Sequence, residues 1–487
     1  MRRVRPPWLV PTAVLLAGTV LLLVGLGQPA TIVFDEVYYV TDARSMLATG
    51  VEHGFAVHPP LGKWAIAAGM AVAGDHPAGW RVAGALAGAA TAALVALVVR
   101  RLTGRDALGG VAGLLVLLDG VLLVQARTAM LDVHLVLLVV LGTWLLLVDR
   151  DRADARSGGP SDAPTDGDAP TDGDAPTDGD APPDRAGPRW WLVAAGAAFG
   201  AAVAVKWSGA LALLAAGVLL AIWEHARARR RGRVRGAAAR RSLATVTVFL
   251  GLVPLLVYAL SWTPWLVGFE RTPAAAEARA AGDITLADRL SGLVDHHRQV
   301  ADFHLHLDAD HPYRATAATW PLQQRPVVYH YEACGPDGRD GDGERCTGPP
   351  GRTSEVIALG NLALWWGFLP ALPLLVVAAI RHDRRASVPA AFLAAQYLPW
   401  LVVARPVFAF YAAPLVPYLA IGIALVADRL DRPAPDGPPR GGRTGSVLLA
   451  VVMLAAAALF VYFAPVWYGI PLPDDAIRAR WWFDGWV

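Results

Sequence analysis

Residues 8–46 read WLVPTAVLLAGTVLLLVGLGQPATIVFDEVYYVTDARSM. An apolar run from Trp8 to about Gly27 leads into two adjacent carboxylates, Asp35 and Glu36. The run is long enough to cross a bilayer. It is too long for the apolar core of a signal peptide and lacks a cleavage site, so it reads as a retained first span. Acids at the edge of a bilayer are costly and mark functional positions. Downstream lies HPPLGK at 58–63, with His58 and Lys63. Of the 43 Lys and Arg residues only Lys63 and Lys206 are lysine, so both stand out. An acid pair and a cation at one membrane mouth point to chemistry on an anionic, lipid-borne molecule.

Working outward, hydrophobic residues make up 55% of the chain, charged residues 17%, and mean hydropathy is +0.41. These values describe an all-α polytopic membrane protein. Spans are expected near 8–27, 80–99, 107–124, 129–148, 190–205, 208–224, 242–264, 355–380, 387–403, 408–427 and 445–464, about eleven in all. Arg2, Arg3 and Arg5 place the N-terminus in the cytoplasm. Alternation then puts Arg100–Arg105, the Arg-rich stretch 227–241, Arg381–Arg385 and Arg429–Arg443 on that same side, and the C-terminus outside. The expected location is the cell membrane. A net charge of +2 gives no case for a nucleic-acid partner.

The organisation follows. Residues 1–148 are an N-terminal transmembrane module whose first external loop, 28–79, carries the acid pair. Within it, 64–74 is too short to span and reads as an interfacial helix. Residues 149–189 are a cytoplasmic linker with three APTDGD copies at 163–180, too polar to fold and expected to be dispensable. Transmembrane helices occupy 190–264, a large external loop 265–354, further spans 355–464, and a Trp-rich external tail 465–487. Cys334 and Cys346 both fall in the large loop, on the oxidising side, where a disulfide is the natural reading.

Asp35 and Glu36 are read on an extended segment, where neighbours point opposite ways. One carboxylate then faces the substrate and the other holds the fold or an acceptor. Asp35 is chosen as general base, with Glu36 in support. Five cations fall on the external face: Lys63, Arg81, Arg127, Lys206 and Arg405. Any one of them could simply snorkel at a helix end. Five on the face that orientation does not favour suggest a phosphate partner. Asp132 either pairs with Arg127 or Arg81 or contacts a sugar. Asp119, inside span three, needs a partner or a polar cavity. Five of the twelve His lie between His296 and His311. A divalent metal on His304, His306 and Asp308 is conceivable, but the spacing matches no strong signature. Contacts to substrate or acceptor near HPY and TWPLQQRPVVYHYE are the stronger reading.

Taken together, FDEVYYVTDARSM, VHPPLGKW, Trp80-Arg81, QARTAMLD, AVKWSG, LSWTPW, HPYRATAATWPLQQRPVVYHYE, ALGNLALWW, RPVFAFYAAPLVPYLAI and RARWWFDGW resemble bacterial protein O-mannosyltransferases of the actinobacterial type. These are membrane enzymes of the GT-C glycosyltransferase class. The resemblance covers nearly the whole chain outside the repeat. It implies transfer of mannose from polyprenyl-phosphate mannose to Ser or Thr of secreted or translocating proteins at the external face, with the secretion translocon as a partner. It also implies that Asp35 is the catalytic base, Glu36 its essential neighbour, and Arg81 the family's arginine at the start of span two. Asn361-Leu362 departs from an expected Asn-Pro, and the acidic repeat is a second departure.

The chemistry is coherent with that resemblance. A lipid phosphate is already a good leaving group, so cations and one base suffice where a glycosidase needs two carboxylates. Two rivals remain: a polyprenyl-phosphate sugar transferase acting on lipid or polysaccharide, and a lipid or solute transporter. Against the transporter stand the absence of an internal repeat among the spans and the scarcity of midplane charge.

Overall fold

The computed structural model describes residues 6, 8–54, 57–156, 188–308, 310–432 and 442–486. The basic start at Arg2–Arg5 and the APTDGD linker lie outside them. The first helices are α1 (Leu9–Leu23), α2 (Glu36–Thr49), α3 (Leu61–Ala73), α4 (Pro77–Thr103), α5 (Asp106–Leu117), α6 (Gly120–Arg127), α7 (Asp132–Ala155), α8 (Trp190–Val205) and α9 (Gly209–Arg230).

The 27-residue helix α4 is central. Pro77 opens it and Gly104, at φ 72°, closes it over the Arg100 carbonyl, with Arg100 and Arg101 in the last turn. Its sequence is rich in Gly and Ala, and this lets neighbours approach closely. A Cβ at Gly88 would stand 2.7 Å from the Ala126 methyl, so α4 touches α6 almost backbone to backbone. It packs against α1, α3, α5, α6 and α7.

Among the described residues, seven helices are long and apolar enough to cross a membrane, eight if the bent pair α5–α6 counts as one span. Each of the eleven expected spans holds a helix, but α1 and α8 have only 15 and 16 residues and Ser387–Tyr397 only 11. The span expected at 355–380 begins later, at Leu362, because Thr353–Ala358 is a strand. That strand, β2, pairs antiparallel with β1 (Val327–Ala333), from Val327 opposite Ala358 to Ala333 opposite Thr353. The all-α expectation is therefore corrected by one two-stranded sheet. Its sequences, VVYHYEA and TSEVIA, are β-branched and aromatic, which suits a pleated surface.

The break between α5 and α6 is 64° and is stabilised by Asp119. Its carboxylate caps α6 at Leu122 N and accepts from Asn361 N and Trp365 Nε1. Asn361 in turn caps the helix Leu362–Ile380 through Ala363 N and donates to the Leu118 and Ala456 carbonyls. This is the polar surrounding that Asp119 requires.

Charges at one end of the bundle are tied across helices. Arg101 meets Asp151 at 2.7 Å, Arg105 meets Asp428 at 3.3 Å, Arg189 meets Glu224 at 2.6 Å, and Arg227 and Arg384 share Asp154. The other end carries α2, α3, the sheet, the helix Leu286–His306 and the tail. Leu286–His306 starts with a reciprocal Thr285–Asp288 cap. Cys334 and Cys346 are joined as a disulfide, with Cα atoms 5.8 Å apart. The tail folds back onto β2 through Thr353–Leu472 backbone bonds and Trp481 Nε1 to Glu355.

Candidate active site

The acid pair does not sit on an extended segment. Asp35 has helical angles and Glu36 is the first residue of α2. The chain reaches this start through Phe34, whose φ of 45° lies in the left-handed region. Such a backbone costs on the order of 1–2 kcal/mol for an L-residue. The Phe34 ring stacks on Tyr329 at 4.4 Å and meets Phe410 edge-on at 5.5 Å, which holds the turn in place.

The two carboxylates have separate tasks. Glu36 is fully buried and every acceptor site is used. Oε1 accepts from Arg81 Nε at 2.7 Å and from Ala129 N at 2.8 Å; Oε2 accepts from Arg81 Nη2 at 2.8 Å and from Val33 N at 3.0 Å. Arg81 spends its remaining donors on the Leu26, Pro29 and Thr31 carbonyls. The pair therefore clamps the first loop to α4 and to the turn after α6. Asp35 instead lines a chamber of about 260 Å³ with Tyr39, His58, His304, Arg405 and Tyr411 among its walls. Desolvation raises its pKa from 3.8 to about 6; Lys206 opposes the rise, Asp132 adds to it, and the Tyr39 hydroxyl favours the ionised form.

The five cations divide in the same way. Lys63 is buried between Asp42 at 2.8 Å and Glu52 at 2.5 Å, so its charge is taken up by protein carboxylates. Arg127 donates to the Leu22, Val24 and Gly25 carbonyls and lies over Tyr468. The charges or donors of Lys63, Arg81 and Arg127, expected to meet a phosphate, are engaged here by protein groups that tether the fold. Lys206 and Arg405 remain. Lys206, at the end of α8, reaches Asp132 at 2.8 Å, which replaces the expected Arg127 or Arg81 as the partner of that acid. Among the described residues Arg405 has no carboxylate partner; its guanidinium lies over Trp400 and Tyr411.

Lys206, Asp132 and Arg405 line a second cavity of about 340 Å³, whose other walls are largely apolar and include Leu211, Trp400, Val403 and Pro414. Val402, next to the lining residue Val403, is 85% exposed. The two cavities share His58, His304, Arg405 and Tyr411. His304 donates Nε2–H to the Val57 carbonyl, while His306 faces Asp302. The two rings do not converge, and among the described residues no group of three His, Cys, Asp or Glu is placed to hold a metal.

Tyr39, Tyr329 and Tyr411, which border Asp35, were not singled out from the sequence. Tyr39 is four residues after Asp35, and a helical reading of FDEVYYV would have placed them on one face. Tyr329 and Tyr411 lie in the segments TWPLQQRPVVYHYE and RPVFAFYAAPLVPYLAI quoted above, but nothing local marks these tyrosines within them.

Three comparisons bear on the site. The family described as the C-terminal four-transmembrane region of protein O-mannosyltransferase matches residues 289–486. Two descriptions of dolichyl-phosphate-mannose-protein mannosyltransferase match residues 57–154 and 180–265. The polyprenol-phosphate-mannose–protein mannosyltransferase of Mycobacterium tuberculosis is 32% identical over 98% of this chain and 92% of its own length. That of Corynebacterium glutamicum is 30% identical over 94% and 88%. Among solved structures, the S. cerevisiae Pmt1-Pmt2 complex bound to the sugar donor superposes with a TM-score of 0.75, covering 100% of this chain and 93% of that one at 14% identity. ArnT from Cupriavidus metallidurans bound to undecaprenyl phosphate gives 0.55, covering 94% and 76% at 15% identity. At such identities the likeness concerns the GT-C fold alone.

Proposed function

The chain belongs to the protein O-mannosyltransferase family, and from that premise we propose that it transfers mannose from polyprenyl-phosphate mannose to Ser or Thr hydroxyls of proteins. The observation that carries this is the pair of joined cavities. One presents the Asp35 carboxylate, which forms no ion pair among the described residues; the other sets Lys206 and Arg405 beside a largely apolar wall.

The donor's phosphate is assigned to Lys206 and Arg405, with its prenyl chain along Trp400 and Val403. The acceptor hydroxyl enters the chamber of Asp35. As the acceptor oxygen attacks the anomeric carbon, its proton passes to Asp35 and the bond from that carbon to the phosphate oxygen breaks. The phosphate leaves already ionised, held by the two cations, so no general acid is needed. A single displacement inverts the centre: a β-linked donor gives an α-linked product.

The site is assigned to the external face of the cell membrane, with the N-terminus inside, about eleven spans and the C-terminus outside. The clustering of basic segments at the end opposite Asp35 supports that orientation. Acceptors then meet the site as they emerge from the secretion translocon. Purified protein should move label from polyprenyl-phosphate mannose into a Ser/Thr peptide with inversion. Label found only in glycolipid or polysaccharide would transfer the reading to the rival transferase; no turnover would refute both.

A further inference from the structure

Lys63 sits between two buried carboxylates, Asp42 and Glu52. Two negative charges against one positive leave a net negative charge in a place where a bare charge is costly. The oxygen left without a partner is on Glu52. Its Oε2 meets Lys63, but Oε1 is buried with no hydrogen-bond donor among the described residues. His296 Nε2 comes within 3.4 Å of it without hydrogen-bond geometry. That ring does not supply the missing charge, because burial and Lys63 push its pKa down to about 4.

Glu52 is 93% buried toward the protein (7% exposed), yet it lines a separate cavity of about 680 Å³. Trp265 and Phe269 wall that cavity, and Asp288 and Asp295 stand on its flank. Asp295 is shared with Arg298 and Asp288 caps its own helix, so the oxygen left open is Oε1 of Glu52; an aromatic wall beside a free carboxylate oxygen suits an ammonium or guanidinium group. We propose that this cavity is a subsite for a basic side chain of the acceptor polypeptide, taken up by Glu52 beside Trp265 and Phe269. The proposal rests on the functional reading above and adds a rule of acceptor selection to it.

The geometry sets a register. Asp42 and Lys63 line the chamber of Asp35, and Glu52 lies on the far side of Lys63. Asp42 follows Asp35 by seven residues on α2, about 10 Å along a helix axis. An extended peptide covers that distance in about three residues and reaches the cavity beyond in a few more.

The test uses full-length enzyme in phosphatidylcholine vesicles and Ser/Thr peptides carrying one Lys at successive positions from the hydroxyl. Matched peptides carry norleucine there. The expected result is an acceptor KM about tenfold lower for Lys at one register, three to six residues away, with donor KM unaffected. Glu52→Gln should abolish the preference while leaving the Lys63–Asp42 pair in place. Asp295→Asn, a surface change, should weaken it about threefold. Equal KM for Lys and norleucine at every position would overturn the subsite while leaving mannosyl transfer standing. So would a preference that survives Glu52→Gln. If KM responds instead to phosphatidylethanolamine in the vesicles and not to the peptide's charge, the cavity belongs to a lipid amine and the proposal fails. Absence of transfer to any peptide would remove the functional reading and this subsite together.

Discussion

Lys206→Ala should disturb two observables that ordinary helix-end anchoring would leave alone. Lys206 stands 2.8 Å from Asp132, and its charge holds down the pKa of Asp35, which Asp132 raises. Remove the ammonium and Asp132 loses its ion-pair partner, while Asp35 loses a charge that opposes the rise in its pKa. A unit charge at 4 Å is worth about 4 kcal/mol at an effective dielectric of about 20; at the longer reach to Asp35 a rise of roughly 1–2 pH units follows. As the proposed base, Asp35 has to be ionised, so activity should be lost as pH falls through its pKa, now about 6. Moving that limb to about 7.5 leaves roughly a quarter of the base ionised at pH 7, a loss of about fourfold. Losing a charge-assisted contact to phosphate removes a further ten- to hundredfold from donor KM or kcat. The assay is kcat/KM against pH with labelled donor. Asp132→Asn should shift the limb toward acid, and Lys206→Ala/Asp132→Asn should return it near its original place while the donor defect persists. Lys206→Arg keeps the charge and the limb but impairs donor use, because a planar fork replaces a point charge. An unmoved limb together with unaltered donor kinetics in Lys206→Ala would refute the assignment and leave Arg405 as the phosphate contact.

Asp35→Asn should cut transfer about 10²–10⁴-fold. It should also raise thermal stability above pH 6 but not near pH 4: the raised pKa means the folded state loses stability as pH climbs from 3.8 to about 6, a cost that a neutral amide avoids. Melting curves of the purified variant at both pH values check the sign. Arg81→Lys leaves Glu36 buried without its two-pronged partner and should cost about 3–5 kcal/mol, seen as loss of a monodisperse folded species in detergent. Thiol labelling of unreduced protein should find neither Cys334 nor Cys346; two labelled thiols would exclude the bridge.

Much of the architecture was legible because apolar runs and short-loop arginines are strong, local signals. α3 was readable as an apolar helix too short to span from length alone. The sheet was missed because VVYHYEA and TSEVIA lie 20 residues apart with the disulfide loop between them, and strand pairing is non-local. The start of the helix at Leu362 was missed for a related reason: the second half of β2, Val356–Ala358, is apolar and leads through three residues into it. At the site, the roles of Asp35 and Glu36 were separable in the sequence, but the reason given was the wrong geometry. Successive residues on a helix also diverge, by about 100°. The cations could be placed on one face but not sorted, because whether an arginine meets backbone carbonyls or open space depends on packing. Arg81 and Arg127 differ from Arg405 only in that respect.

The partition of His58, His304, Arg405 and Tyr411 between the two cavities has a kinetic consequence. If donor and acceptor occupy the two cavities as proposed, neither has to vacate before the other arrives. Turnover should then pass through a ternary complex, with double-reciprocal plots that intersect. The mannosyl group would never be parked on the protein between arrivals. Lipid phosphate, the spent carrier, should compete with donor alone and be indifferent to acceptor concentration if entry is unordered. The same wall admits exchange on one side while the other stays filled, so a long polypeptide sliding past could receive successive sugars as fresh donors come in behind it from the bilayer.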